Sequence, residues 1–217
     1  MPAVLYLIAI TQAPFLATLY YSGYSWKLLY PQRGIRLVGL MNYGELLSDS
    51  LFYSALFTTV LLTIPAVLIT SVLGLFTALL LNRRFQGRRI AIALLVAPFF
   101  IMETVNPLIW KNMIFSSAYG LLTWVLSLVG GTGVDMIGQK PLLSILIMIV
   151  WQWTPFMTLI LLAGLQSFPP NVIDAAKIDG AGYWAQFRFL LLPYLQSYLS
   201  VAALLEVILI IPSFGHI

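Results

Sequence analysis

Asp174-Ala175-Ala176-Lys177-Ile178-Asp179-Gly180-Ala181-Gly182-Tyr183-Trp184-Ala185-Gln186-Phe187-Arg188-Phe189-Leu190-Leu191-Leu192-Pro193 is an island of charge between two long apolar runs. Pro169-Pro170 ahead of it cannot continue a preceding helix and suit the first turn of a new one. Asn171 reads as a cap, with Asp174 three residues on, close to a capping box. Gly180 supplies a stop, because a helix C-terminus often needs a residue at positive φ. Gly182 permits a second change of direction. A further short helix follows, with Trp184, Phe187 and Leu191 on one side, and runs to Pro193. The stretch predicts two short helices around a glycine elbow at a membrane surface, a shape suited to docking into another protein.

The composition sets the solvent. Of 217 residues, 61% are hydrophobic and 8% charged, where a soluble domain carries about 25% charged residues. With a mean hydropathy of +0.97, the chain reads as an all-α integral membrane protein, a polytopic helical bundle. The net charge of +4 is then a topology signal and not a nucleic-acid footprint. The absence of cysteine excludes disulfides, thiolate metal sites and cysteine nucleophiles.

Five spans are legible. The first covers roughly residues 3 to 22, with Pro14 as a kink; it lacks the basic segment and cleavage site of a signal peptide. Residues 23 to 50 read as an outer loop carrying Lys27, Arg33, Arg36, Glu45 and Asp49, with Trp26 at the interface. Residues 51 to 81 are uncharged, and a helix of that length exceeds the roughly 30 Å hydrocarbon core. It must tilt, protrude or bend at Pro65, and Gly74 with Ala78 permits close helix approach. Asn82-Arg83-Arg84-Phe85-Gln86-Gly87-Arg88-Arg89 is the strongest orientation signal and reads as cytoplasmic.

A third span is expected from Ile90 to about Ile114, a glycine-rich outer segment over 115 to 140, a fourth span from Pro141 to Leu165, and a fifth from about Pro193. This arrangement puts Arg83, Arg84, Arg88, Arg89, Lys177 and Arg188 inside, and Lys27, Arg33, Arg36, Lys111 and Lys140 outside. Both ends of the sequence read as cut, with residues 1–50 holding the first span and outer loop and residues 51–217 a core lacking its last helix.

The run Asp174-Ala175-Ala176, then Gly180, Leu190 and Leu192-Pro193, resembles the EAA loop of permease subunits in binding-protein-dependent ABC importers. The family pattern is Glu-Ala-Ala, three residues, Gly, nine residues, Ile, one residue, Leu-Pro; the spacing matches, with Asp174 for glutamate and Leu190 for isoleucine. Trp151, Pro155-Phe156, Leu162-Ala163-Gly164-Leu165-Gln166, Pro169-Pro170 and the arginine segment followed by Pro98 are similar to the branch that carries sugars, polyols and glycerol phosphate. The resemblance covers about residues 40 to 217. It implies a six-helix permease core and a coupling loop over 166–192, seated in a groove of a cytoplasmic ATPase. Asp174, Lys177, Asp179 and Arg188 would offer polar contacts there, Ala175 and Ala176 close packing, and Gly180 and Pro193 the bends. It also implies a second, different permease subunit, two ATPase subunits that hold ATP and Mg2+, an extracytoplasmic binding protein, and the inner membrane of a prokaryote. This chain would hold no cofactor and no metal.

Polar groups within the spans are costly and mark pathways or structural pins. Glu103, expected midway along the third span, reads either as an acceptor for substrate hydroxyls or as a partner of Asn106. Glu206 in the fifth span poses the same alternative. Trp151, Gln152, Trp153 and Thr154 suit a sugar by stacking and amide contacts, or else pack helices. His216 is too isolated to be a ligand or a base. No G-x-x-x-x-G-K-[ST] run, HExxH or Gly-x-Ser-x-Gly occurs, so nothing reads as an enzyme active site. The expected function is ATP-driven import of a sugar or polyol by alternating access. The competing reading is an ion-coupled secondary transporter with Glu103 and Glu206 as proton sites. An integral membrane enzyme would need a polar catalytic cluster at one surface, and a pure assembly scaffold would leave the buried carboxylates unused.

Overall fold

The computed structural model describes residues 2–26, 29, 32, 34–131 and 133–213, and of residues 3, 5 and 213 the backbone alone. Lys27, Arg33 and His216 fall outside the described residues. The chain divides into two compact units, Met1–Thr58 and Thr59–Ile217.

In the first unit, α1 (Pro2–Ser22) is an uncharged helix that continues through Pro14. Residues 23 to 50, expected as a loop, carry structure of their own. Strands β1 (Tyr24–Ser25) and β2 (Arg36–Leu37) pair antiparallel, and helix α2 (Met41–Ser48) follows. Asn42 ties them together: its Nδ2 donates to the carbonyls of Ser22 at 2.8 Å and Tyr24 at 3.1 Å. Such side-chain-to-backbone bonds escape a reading that looks only for hydrophobic period.

The second unit is built on long helices. α3 (Ser50–Asn82) begins in the first unit and carries its 33 residues unbroken past Pro65. After Arg83–Gly87 come α4 (Arg88–Val96) and a short 3-10 turn, Ala97–Phe100. Then follow α5 (Asn106–Ile109) running into a π-helical turn, Trp110–Ile114, then α6 (Leu121–Leu128) and α7 (Met136–Gln139). α8 (Pro141–Ser167), α9 (Pro170–Ile178), α10 (Tyr183–Gln186), a π-helical turn Phe187–Leu191 and α11 (Leu192–Ser213) complete the order. Three helical stretches are long and apolar enough to cross a membrane: Ser50–Asn82, Pro141–Ser167 and Tyr183–Pro212.

Two expectations are corrected here. The third span is not one helix, because the backbone leaves helical geometry at Ile101–Val105. Pro98 and Pro107 flank that break, each removing an amide donor and restricting the residue before it. Helical backbone does not stop ahead of Pro193, although α11 itself opens at Leu192, next to the expected start of the fifth span. The helix starts at Tyr183 and passes through Pro193, because the π-helical turn before it widens the ladder: the Leu192 N–H reaches back to the Phe187 carbonyl. A wide turn relieves the clash a proline ring makes with the carbonyl four residues earlier.

The core lies where α3, α8 and α11 meet, around Ala78, Leu81, Met157, Leu161, Leu162, Leu165, Leu195 and Ala202. On α3 the buried residues Ala66, Thr70, Gly74 and Ala78 recur every fourth position, a small-residue stripe longer than the Gly74–Ala78 pair alone. It brings backbones close, and the Thr77 and Thr158 hydroxyls meet at 2.6 Å across the α3–α8 contact. Between α8 and α11 the close approach is at Gly164, where a Cβ would stand 2.8 Å from Cγ of Tyr198 and 2.9 Å from Cδ2 of Leu195. Leu68, Val72 and Phe76 on the opposite face of α3 are more than half exposed, as a lipid-facing surface requires.

Candidate functional site

Two places gather the polar residues that the composition makes scarce: the break at Ile101–Val105 and the charged elbow after α8.

At the break, the Ile101 carbonyl has lost its helical partner, and Gln152 of α8 replaces it, its Nε2 donating at 2.7 Å. The Gln152 Oε1 accepts in turn from Asn106 Nδ2 at 2.7 Å, and the same Nδ2 approaches the Met148 carbonyl at 3.4 Å. The amide pair thus fastens both ends of the break to α8. Irregular backbone at membrane depth persists where it is buried in protein or lines a water-filled cavity. A cavity of about 390 Å³ lies here, lined by Glu103, Thr104, Asn106, Lys111, Ser144, Gln152 and Trp153 among others. Asn106 is 4% exposed, and its Oδ1 has no hydrogen-bond partner among the described residues. A buried acceptor left open on a cavity wall calls for a donor from a water or a bound hydroxyl.

The sequence-derived candidates therefore separate. Glu103, Asn106, Gln152 and Trp153 line the one cavity. Glu103 belongs to the break and is exposed, not to the middle of a helix. Trp151 and Thr154 line a second, apolar cavity of about 520 Å³ with Trp110 and Pro155. Four consecutive residues on a helix turn about 100° each, so 152–153 and 151/154 face different ways. Trp151 meets Trp110 edge to face at 5.6 Å between ring centres, and the Thr154 hydroxyl donates to the Val150 carbonyl.

Glu206 lines neither cavity. It is fully buried on α11 and accepts from the Thr70 hydroxyl of α3 at 2.8 and 3.0 Å. That bond pins α3 to α11. Among the described residues Thr70 is the one donor to the carboxyl group, and we expect Thr70→Val to lower stability by about 1.5–3 kcal/mol. Thr70→Ser should restore most of it, read by thermal unfolding in detergent; equal melting of all three proteins would contradict the pin. Thr104, Lys111 and Ser144 were not among the sequence candidates for the cavity. The available signal was the pair of charges, Glu103 and Lys111, on either side of Pro107.

The elbow is closed by its own backbone. α9 begins at Pro170 with Pro169 as its cap. Asn171 lies inside the helix and makes no capping bond, and Asp174 pairs with Lys177 at 2.9 Å instead of closing a capping box. With Pro170 in the first turn, one amide donor is already absent and the side-chain cap is less needed. The C-terminus is a Schellman motif: Ala181 N–H to Ala176 O at 2.8 Å and Gly180 N–H to Lys177 O at 3.1 Å, with Gly180 at φ +78°. Asp179 is the capping residue of this end. Gly182 sits at φ −66°, ψ 167°, ordinary extended backbone, so the second turn does not require glycine.

The chain then enters α10 directly, and Arg188 projects from the exposed side of the π-helical turn. Pro193, expected as a boundary, lies in the first turn of α11. The root of the elbow is clamped: the Ser167 hydroxyl meets those of Tyr198 at 2.8 Å and Tyr194 at 3.1 Å, and Phe168 packs edge to face on Tyr194. Ile178 at its tip is 87% exposed, and Ala175 is exposed beside it. The Arg83 guanidinium links the arginine segment to the elbow, standing 5.9 Å from the centre of the Tyr183 ring.

The chain is similar to known proteins over most of its length. The sequence pattern of the family described as "Binding-protein-dependent transport system inner membrane component" matches residues 53–214. The chain is 34% identical over 218 residues to a probable ABC transporter permease protein, y4oQ, of Sinorhizobium fredii, covering 100% of this chain and 70% of the other. It is 39% identical over 173 residues to the trehalose/maltose transport system permease protein MalF of Thermococcus litoralis, covering 79% of this chain and 58% of that one. It is 31% identical over 204 residues to the trehalose transport system permease protein SugA of Mycobacterium tuberculosis, covering 94% and 65%. The chain thus spans between 58% and 70% of the length of these relatives. Its fold is similar to a chain of a bacterial ABC transporter that imports the acidic polysaccharide alginate, at a TM-score of 0.74 and 18% identity, over 95% of this chain and 69% of that one. Matched by the family pattern across both the broken helix and the clamped elbow, this all-helical membrane protein belongs to the inner membrane components of binding-protein-dependent transport systems.

Proposed function

We propose that the chain is a permease subunit that moves a sugar or polyol across the cytoplasmic membrane by alternating access, driven by ATP hydrolysis on separate subunits. The observation that carries this reading is the elbow. It is a rigid backbone cap, clamped at its root by Ser167, Tyr194 and Tyr198, and it offers an exposed tip. A lever of that kind transmits rigid-body motion to the helices on either side, α8 and α11. Asp174, Ala175, Ala176, Lys177, Asp179, Gly180 and Arg188 would make the seat for a cytoplasmic ATPase, which holds ATP and Mg2+. The relatives named for trehalose, maltose and starch degradation products support the sugar class.

The break cavity is the proposed passage. Glu103, Thr104 and the open acceptor of Asn106 would meet ligand hydroxyls, with the Trp153 ring at its wall. Glu103 and Thr104 are exposed, so a second permease subunit would complete the enclosure. A binding protein would deliver the ligand from outside, as the family description implies for the system as a whole. The enclosure of Glu206 by Thr70 argues against its use as a proton site, which must exchange with water.

The test is uptake by membrane vesicles holding the complete system, across a panel of neutral sugars and polyols. Uptake should follow ATP and require the ATPase. Gly180→Val places a β-branched residue at φ +78°, a strain of about 1–2 kcal/mol, and should cut uptake about tenfold. Uptake that survives removal of the ATPase and follows a proton gradient would overturn the reading in favour of an ion-coupled carrier.

A further inference from the structure

We propose that Arg83, Arg84, Arg88 and Arg89 form a binding site for anionic lipid headgroups, connected to the elbow through the stack of Arg83 on Tyr183. The four guanidinium groups fall within seven residues between the end of α3 and the first turn of α4. Among the described residues, none of them lies within 4 Å of a carboxylate; the ion pair recorded is Lys177–Asp174. Arg88 is partly committed, its Nε donating to the Leu81 carbonyl at 2.6 Å. Arg84 and Arg89 are exposed.

Three observations select a lipid over an acidic protein surface. First, the cluster leaves α3 directly, at the end of a helix long enough to cross the bilayer, which puts the guanidinium groups at headgroup depth. Second, Phe85 and Ile90 beside them are 47% and 66% exposed, an apolar pair suited to the acyl boundary below the phosphates. Third, charge is segregated between the two neighbouring segments. The elbow carries Asp174 and Asp179 against Lys177 and Arg188 and is neutral, whereas the arginine segment carries only positive charge. A juxtamembrane cluster of that sign attracts anionic leaflets within about a Debye length.

The Arg83–Tyr183 contact gives the site a consequence. Tyr183 opens α10, the helix that follows the glycine turn. A headgroup phosphate that draws Arg83 toward the bilayer competes with its place over the ring, so lipid charge biases the position of the elbow. This link rests on the coupling role proposed above; the lipid site itself does not.

The experiment places the full-length protein in nanodiscs of phosphatidylcholine alone, or of phosphatidylcholine and phosphatidylglycerol in equal parts. Lipids retained on the protein are counted by native mass spectrometry after detergent release. Phosphatidylglycerol should be retained preferentially by the wild type, and Arg84→Gln/Arg89→Gln should weaken that retention about 30-fold. Lys140→Gln, remote in sequence from the cluster, should leave it unchanged. Added glycerol phosphate should not displace the lipid, which separates a membrane site from a free-phosphate site. Equal retention of both lipids, or retention untouched by the double substitution, would overturn the proposal. So would loss of a co-purifying ATPase from the double variant with lipid retention intact, which would assign the arginines to a protein partner. Retention is read without ATP or transport, so its failure leaves the transport reading standing, and the converse holds.

Discussion

Gly74→Leu is expected to separate α3 from α8 at a large cost in stability. A Cβ at this position would stand 2.6 Å from Cγ and 2.9 Å from Cβ of Met157, and 3.1 Å from the Thr158 amide nitrogen. Two of those atoms cannot swing away, since one is backbone and the other is fixed to it. Met157 is itself fully buried, in the cluster that joins α3, α8 and α11, so it has no vacant space to move into. The helices must part, which breaks the Thr77–Thr158 contact and loosens the neighbouring Thr70–Glu206 bond. Overpacking of a close-packed core costs about 1–3 kcal/mol before such secondary losses; with them we expect about 3–5 kcal/mol. Thermal unfolding in detergent measures it. Gly74→Ala should show a smaller loss of the same sign, and a Leu variant that melts with the wild type would mean that the stripe does not set this contact.

The second large effect is at Gln152. Gln152→Leu keeps the volume but leaves the Ile101 carbonyl without a donor and takes the nearer acceptor from Asn106 Nδ2. Each buried polar group left open costs about 1–3 kcal/mol, so a total of about 2–6 kcal/mol is expected. The loss falls on the break and not on the α3–α8–α11 core. Uptake should therefore disappear, while protection of the core helices against hydrogen exchange stays near the wild type. Each amide atom of Gln152 holds a partner within the protein, Nε2 the Ile101 carbonyl and Oε1 the Asn106 amide, which makes it a positioning residue for the cavity. Retained uptake with unchanged ligand affinity would contradict that role.

The elbow was legible because local chemistry fixes it. Pro169-Pro170 starts α9, Gly180 ends it at positive φ, and both signals act within a few residues. The long uncharged runs were legible for a similar reason, since length and hydropathy alone define a span; α3 and α8 lie within two residues of their expected ends. The broken helix was harder. Pro98, Glu103 and Pro107 were visible, but proline is tolerated inside membrane helices, as Pro65 and Pro155 are here. What decides the outcome at Ile101 is a donor on another helix, Gln152, fifty-one positions away.

Glu206 shows the same limit. Its partner Thr70 is 136 positions distant, and nothing in the spacing of either residue announces the other. The π-helical turn before Pro193 was hidden because it substitutes for a helix end that the proline alone would suggest. The four residues Trp151 to Thr154 read as one cluster in sequence and divide between two cavities, a consequence of helical rotation that the sequence contains and that a search for polar clusters passes over.

The central claim is that the elbow seats an ATPase, and the absence of cysteine from these 217 residues makes it directly testable. Ile178→Cys places a thiol at the exposed tip of α9. A short bis-maleimide, added to the complete system carrying cysteines along the ATPase groove, should join the two chains in good yield, and the yield should change between nucleotide-free and ATP-bound states. Absence of any cross-link while the same membranes carry out ATP-dependent uptake would contradict the account.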